Sequence, residues 1–503
     1  MLPPSPMITH RLAVRQRQFS RYGLLAWLVA FIVGLAPGLA ARAAAQPAVP
    51  QATGAQTAAG KIVYLPLVFW RDRPSGSLAD EWFLMVDDGH IRSRSVERQY
   101  YSFTKYRGNP IMVADRVYEG KAILLYGSVL PGFRMWYSAY NHNLGGTVSV
   151  LYAESKDGIR WNKPNLNGTA SNIVPGGTNA TLVSVLSTPH DWQRPLKFLW
   201  YQAQDFHGFW SQDGINLTPY SQNPFLTSGG DIAHFYYDPH TGQYAGTIKE
   251  STIVAGVKRR SARLLRADSF TNWSLLDVLL APDEIDDALL APLYPHFYGV
   301  PMFPAGEQYL GLLWLLKAPD QAGLYGNTEI QLVSSHDGIE WIREEGSRPP
   351  ILDVGPAGAW DDGQIYTASQ PIRVGDELWL YYSGCDHQHG SALDQIRCNI
   401  GLATLPYNRM ASLSGSGEAL TDERPGGNNT LHVNYDARGG TLCVELLSGG
   451  EPITGYSAAD CTALTGNSLD APVTWGSRFL LPDGPYQIRF ILQNASLYAF
   501  ALR

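Results

Sequence analysis

The heptapeptide "SKDGIRW", Ser155–Trp161, returns as "SHDGIEW" at Ser335–Trp341, and a third copy, "SQDGINL", starts at Ser211. Self-similarity within one chain signals a structural unit built more than once, and this constrains the fold more tightly than composition does. Asp-Gly is the strongest short hairpin signal, so each copy predicts a strand reversal through a type I′ turn. Strand-like runs precede every copy: "FRMWYSAY" and "VLYAES" before Ser155, "LKFLWYQAQ" and "GFW" before Ser211, "QYLGLLWLL" and "IQLVSS" before Asp337. Aromatic residues make up 12% of the chain, beside 50 Gly and 33 Pro, which favours short strands and tight turns over helices.

The same pattern recurs in degenerate form. In "GQYAGTIK…RRSARLLRADSFTNW", Asp268 and Trp273 take the Asp and Trp positions, and in "ELWLYYSG…NIGLATLPYNRM" the turn falls near Pro406. Five units result, with reversals near 157, 213, 268, 337 and 406, a spacing of about 55 to 70 residues that suits four short strands each. Radial repetition of four-stranded sheets is a β-propeller. The expectation is therefore an all-β chain with a five-bladed β-propeller over residues 61–410, in which the repeated turn is scaffold and its closing Trp or Leu packs between blades. From 411 to 503 the pattern shifts to "LHVNYDARGGTLCVELL", "PVTWGSRFLL" and "YQIRFILQNASLYAFAL", which predicts a C-terminal β-sandwich.

The N-terminus carries Arg11, Arg15, Arg17 and Arg21, then an apolar run from about Leu24 to Leu39 and the small residues "ARAAAQ". This predicts a signal peptide over residues 1–45 and a secreted or cell-surface protein. The alternative is a retained anchor, so membrane contact is expected only through an uncleaved signal segment. Residues 46–60, "QPAVPQATGAQTAAG", carry no charge and are expected to be a flexible linker. Removing residues 1–45 takes away five Arg and no acid, which moves the formal charge from −7 to −12. Such a surface excludes an electrostatic footprint for nucleic acid. The four cysteines fit export, with local pairing of Cys385 to Cys398 and Cys443 to Cys461 as the economical expectation among three pairings.

The stretches "FRMWYSAY…LYAESKDGIRWNKPNL", "GDIAHFYYDPHTGQYAGTIK", "RRSARL…SFTNWS" and "ELWLYYSG", in five units followed by a β-sandwich, resemble the glycoside-hydrolase-like propellers. The resemblance is to families 32 and 43 (invertase, levanase, arabinanase, xylosidase) and their bacterial relatives, over roughly residues 80–503. It implies a carbohydrate substrate cleaved by acids at the mouth of a central funnel, one protonating the leaving oxygen and another acting as nucleophile or base. The sequence lacks "W-M-N-D-P-N-G" and "R-D-P", so no catalytic triad carries over residue by residue. Its turns also lack the residue between Asp and Gly of the sialidase motif "S-x-D-x-G-x-x-W". The expected function is an exported glycoside hydrolase or transglycosidase, acting as a monomer without metal or cofactor. The alternative is a non-catalytic carbohydrate-binding propeller; a phosphorylase is disfavoured by export from the cytoplasmic phosphate pool.

Acids near the start of each unit's first strand are the catalytic candidates. Asp231 follows Gly229-Gly230 directly before "IAHFYYDP" and ranks first, against a turn-capping alternative. Glu119, in "NPIMVADRVYEGKAILLYGSV", ranks second against a solvated surface glutamate, and Asp362, in "GAWDDGQIYTASQP", third against an ordinary turn. If these carboxyls converge, mutual repulsion should raise at least one pKa. Substrate-binding candidates are His234, His296, Tyr298, Arg260 and Tyr366. His387 and His389 have a metal-like spacing but lack further ligands at fixed spacing.

Overall fold

The computed structural model describes residues 81–503 apart from 142–145, 228, 393 and 428. The expected signal peptide, the linker and the start of the 61–410 region lie outside the described residues. The fold is all-β: among the described residues the α-helices amount to Glu284–Leu290 alone, with one 3₁₀ turn at Val117–Glu119.

Strands follow one another in five antiparallel groups, each beginning where the sequence places a unit's first strand. The first group runs Ala122–Leu124, Arg134–Asn141, Thr147–Ser155, with Trp161–Asn162 and Ile173–Thr178 on its outer edge. The second is Thr181–Ser187, Leu196–Gln202, Asp205–Ser211 and Thr218–Pro219; the third is Ala233–Asp238, Gln243–Val254, Val257–Ala267 and Ser274–Leu280. The fourth starts with Tyr294–Gly299 and Met302–Ala305, and continues through Gln308–Ala318, Asn327–Ser335 and Trp341–Ile342. The fifth is Gln364–Thr367 and Ile372–Val374, then Glu377–Cys385 and Cys398–Pro406. Its outer strand comes from elsewhere: Thr104–Lys105 pairs with Ala403 and Thr404. The chain after the fifth reversal leaves for the C-terminal sheet instead.

Apolar side chains fill each seam between neighbouring groups. Trp136 and Tyr152 meet Phe198 and Trp200 between the first and second, and Leu199 and Phe206 meet Phe235 and Tyr244 between the second and third. Tyr236 and Leu264 meet Phe297 and Leu315 between the third and fourth, and Trp314 and Ile330 meet Ile365 and Tyr382 between the fourth and fifth. A further seam joins the fifth to the first, where Tyr381, Ile400 and Leu402 pack with Ile123, Tyr137 and Leu151 and Cys398 pairs in parallel with Ala122.

The repeated turn binds these seams together. The Ser155 hydroxyl accepts from Gly158 N at 2.8 Å, and Asp157 Oδ1 accepts from Ile159 N and Arg160 N at 3.0 and 2.8 Å. Ser211 with Asp213, and Ser335 with Asp337, repeat the same set. Only the glycine of each Asp-Gly has positive φ, so the loops are Asx-stapled turns and not the type I′ pairs the sequence suggested. The preceding group donates to each: Tyr381 Oη to Gly158 O at 2.9 Å, Trp136 Nε1 to Gly214 O at 2.8 Å, Arg266 to Asp337 O at 2.8 Å. Gly214 has φ 84°, and a Cβ there would lie 2.5 Å from the Trp136 ring. Gly214→Ala should therefore cost about 2 kcal/mol or more through backbone strain and a displaced indole, read as a lower denaturation midpoint at unchanged m-value.

The C-terminal strands are linked by hydrogen bonds into one eight-stranded sheet, in the order Ile91–Arg94, Ala411–Thr421, Gln487–Leu502, Leu431–Ser448, Glu451–Pro452, with Trp82–Leu84, Glu97–Tyr100 and Leu464–Pro472 paired alongside. Bulges between Gly415 and Gly417 and between Asp436 and Thr441 let long strands bend over one core, because an extra residue on one strand kinks it. That core gathers Leu413, Val433, Val444, Trp475, Phe490 and Leu497. The boundary at 61–410 is also crossed: Trp82–Leu84 pairs with Gln487–Leu502, and Ile91–Arg94 and Glu97–Tyr100 pair with Ala411–Thr421. Trp82, Leu84, Ala499 and Ala501 then pack on Phe303, Leu310, Leu378 and Met410 of the fourth and fifth groups and their flank. Cys385 and Cys398 are disulfide-bonded. Cys443 and Cys461 are free thiols, contrary to the expected second bond; burial pushes the Cys461 thiol up to about 12.

Candidate active site

Asp231 owes its position to the two residues before it. Gly229 has φ 107°, and a Cβ on Gly230 would meet Lys249 Cε at 2.7 Å, so only glycine lets this segment lie flat on the neighbouring strand. Gly230 N then donates to Lys249 O, and Lys249 N to Ile232 O, both at 2.8 Å. This lacing brings the Lys249 ammonium onto the Asp231 carboxylate as an ion pair.

Around that pair stand side chains from four of the five groups. The Lys249 ammonium lies 4.7 Å from the centre of the Tyr298 ring, and the Arg260 guanidinium 5.8 Å from it. Tyr298 and Tyr366 have ring centres 5.3 Å apart, Tyr126 and Tyr366 5.2 Å, and Tyr366 and Trp314 5.2 Å. Arg260 is fixed at two points: its backbone N–H donates to His296 Nδ1 at 3.1 Å, and its guanidinium donates to Gly323 O. His234 packs edge-on against Trp314 at 4.6 Å, and His389 edge-on against Tyr298 at 5.0 Å. The disulfide loop carries His389, whose Nδ1 donates to Leu324 O at 2.7 Å.

Electrostatics divide these groups into charged and neutral. Burial works against the Asp231 carboxylate, but Lys249 and then Arg260 hold its pKa below the ordinary carboxylate value. Burial pushes His234 down to about 3 and, aided by nearby Arg260, His296 and His389 to about 4, so all three are neutral imidazoles near pH 7. Burial raises Tyr126, Tyr298 and Tyr366, which keep their hydroxyl protons. Asp231 nevertheless keeps 48% of its side-chain surface, although protein surrounds it on nearly all sides. Asp231 therefore lies at the accessible side of a cluster that is otherwise largely buried.

The six residues Asp231, His234, Arg260, His296, Tyr298 and Tyr366 thus share one cluster. Glu119 and Asp362 do not belong to it. Glu119 is fully buried at the seam of the fifth and first groups, where it accepts from Tyr137 Oη at 2.7 Å, Asp115 N at 2.9 Å and Arg116 N at 3.0 Å, and pairs with Lys163. Asp362 caps its own loop, accepting from Gly358 N at 2.6 Å, while its neighbour Asp361 is buried against Lys105 and Tyr382. The three carboxyls do not converge, so the expected mutual repulsion has no geometric basis, and Lys249 holds Asp231 below the ordinary carboxylate value. His387 and His389 have different partners, Asp386 and Leu324 O, and share no ligand geometry. Among the described residues no group of three or more His, Cys, Asp or Glu could hold a metal ion.

Sequence reasoning missed Tyr126, Trp314 and His389 as members of the cluster. A signal for one of them existed: "LLYGS" and "HFYGV" place Tyr126-Gly127 and Tyr298-Gly299 at corresponding positions in the first and fourth groups.

No protein-family profile matches the chain, and no curated protein matches it significantly. Solved structures give remote matches. An N-acetylgalactosamine deacetylase from F. plautii, in complex with blood group B trisaccharide, is 15% identical with a TM-score of 0.40, over 63% of this chain and 96% of that one. A glycosyl hydrolase from Bacteroides ovatus is 11% identical with a TM-score of 0.41, over 61% and 94%. A structure from the GH130 family of mannoside phosphorylases, which contains glycoside hydrolases that target β-1,2 mannosidic linkages in Candida mannan, is 13% identical with a TM-score of 0.41, over 61% and 94%. Likeness at this level assigns no activity to the present chain.

Proposed function

We propose that this is an exported carbohydrate-active protein whose five strand groups are the blades of a β-propeller, with the Asp231 cluster as its sugar-binding and hydrolytic centre. One observation carries the reading: a half-exposed, ionised carboxylate stands over a buried cluster of polar and aromatic side chains drawn from different strand groups. A few convergent polar groups, here Asp231, Lys249 and Arg260, are what fixes the orientation of a bound sugar. An ionised Asp231 is suited to act as nucleophile, as base toward water, or as a fixed negative charge that stabilises an oxocarbenium-like transition state. Its depressed pKa disfavours the role of proton donor to the leaving oxygen.

Two-carboxylate hydrolysis needs a second acid. Asp320, whose charge acts on His296, is engaged by its own loop, accepting from Ala322 N and Gly323 N at 2.9 and 3.1 Å, and Asp231 is the carboxylate that the cluster's cations hold. That observation favours a second reading, a carbohydrate-binding propeller without catalysis. A polysaccharide panel followed for both new reducing ends and bound protein separates the two. The hydrolytic reading expects reducing ends from at least one substrate, whereas binding without new ends supports the second. Neither binding nor cleavage would overturn both.

A further inference from the structure

Among the described residues, the cluster contains one cation, Arg260, that forms no ion pair with an acid. Along the hairpin of Gln243–Val254 and Val257–Ala267, Lys249 meets Asp231, Arg259 meets Asp287 at 2.8 Å, and Arg263 meets Glu250 at 2.9 Å. Among the described residues, no carboxylate lies within ion-pair distance of Arg260. The surrounding histidines supply no negative charge, and the tyrosines keep their protons. Lys249, Arg260 and Asp231 sum to one excess positive charge, and the next carboxylate, Asp320, is engaged by its own loop through Ala322 N and Gly323 N.

Arg260 is also held in place. The guanidinium donates to Gly323 O, the backbone N–H is fixed by His296, and the Tyr298 ring lies beneath the group. Gly323 has φ 63°, and a Cβ there would lie 2.5 Å from His296 Nε2 and 2.9 Å from the guanidinium, so the 320–323 loop closes directly over both. A rigid guanidinium with donors left over is the group best matched to an oxyanion, and partial burial strengthens that attraction.

We propose that Arg260 is a specificity residue which selects sugars bearing an oxyanion, a carboxylate or a sulfate or phosphate ester, over neutral sugars. This rests on the carbohydrate reading of the Asp231 site and deepens it. The test is isothermal titration of the purified protein with matched β-1,4-linked tetrasaccharides: glucuronate against glucose, mannuronate against mannose, and sulfated forms of the neutral pair. Inorganic phosphate and sulfate are tested in parallel by thermal shift. We expect an acidic member to bind about tenfold or more tightly than its neutral counterpart, and Arg260→Met to abolish that preference. Arg260→Lys should retain most of the preference, and Lys258→Gln, which removes an exposed charge on the same strand, should retain all of it.

Whether the uronate or the ester arm responds identifies the source of the oxyanion. Equal binding of acidic and neutral members overturns the inference and leaves the carbohydrate reading standing. Stabilisation by phosphate or sulfate that depends on Arg260, with no sugar bound, keeps the anion site and overturns the carbohydrate reading. No binding and no Arg260-dependent stabilisation overturns both.

Discussion

Asp231→Asn should lower turnover by about 10²-fold or more on whichever substrate the polysaccharide panel identifies, the usual scale for losing a positioned acid or base. The change is nearly isosteric, so the fold should be almost untouched. Half of the side chain faces water, and solvent screening limits the stabilising value of its pair with Lys249 to about 1 kcal/mol or less. The sign of the pH effect follows from the depressed pKa. Any stability from the pair is fully present above the unfolded carboxylate value, about 3.9, and is lost only as pH falls through the lower folded value. Asp231 should therefore place no limb in the pH–rate profile near neutrality. Asp337→Asn is the matched control: it disturbs the Asx-stapled turn of the fourth group and should leave turnover per folded molecule unchanged. Wild-type turnover by Asp231→Asn, or an acid limb near pH 6 that this substitution removes, would show that the carboxylate does not have the role assigned to it.

The parts legible in the sequence were those encoded locally. A group starts where Gly, Pro or Asp breaks precede a run of β-branched and aromatic residues, which is why the stretch after Gly229-Gly230, "IAHFYYDP", marks a first strand. Gly229-Gly230 signals a close backbone approach, and the approach is to Lys249. What the sequence did not disclose was pairing at long range. Lys249 reaches Asp231 only through the register Ala233↔Ile248, which no local pattern specifies. Thr104–Lys105 completes a group whose other strands lie almost 300 residues further along the chain, and 82–100 joins strands beyond 410. Alternation shows that such a segment has one inward face, but it cannot name the strand that faces it. The acids divide on the same ground: a carboxylate just before a first strand can turn toward the cluster, as at Asp231, or back into a seam, as at Glu119.

Glu119 is expected to matter for folding and not for chemistry. Its carboxylate is fully buried and accepts from a tyrosine hydroxyl, two backbone N–H groups and the Lys163 ammonium, and none of these donors belongs to the Asp231 cluster. Removing one member of a buried ion pair typically costs 3–5 kcal/mol, because the remaining charge and donors stay out of water without partners. Lys163 has a second partner in Asp115 at 2.7 Å, but Asp115 is half-exposed and replaces only part of what is lost. Glu119→Ala should therefore destabilise the protein by about 3 kcal/mol, near the lower end of that range. Glu119→Gln should destabilise it less, since it keeps the shape and one acceptor while setting an amide NH₂ against donors. Denaturant unfolding followed by tryptophan fluorescence gives the stability, and turnover normalised to folded protein gives the chemistry. A Glu119→Gln protein of wild-type stability that has lost turnover would return Glu119 to the catalytic set and dissolve the distinction between cluster and seam.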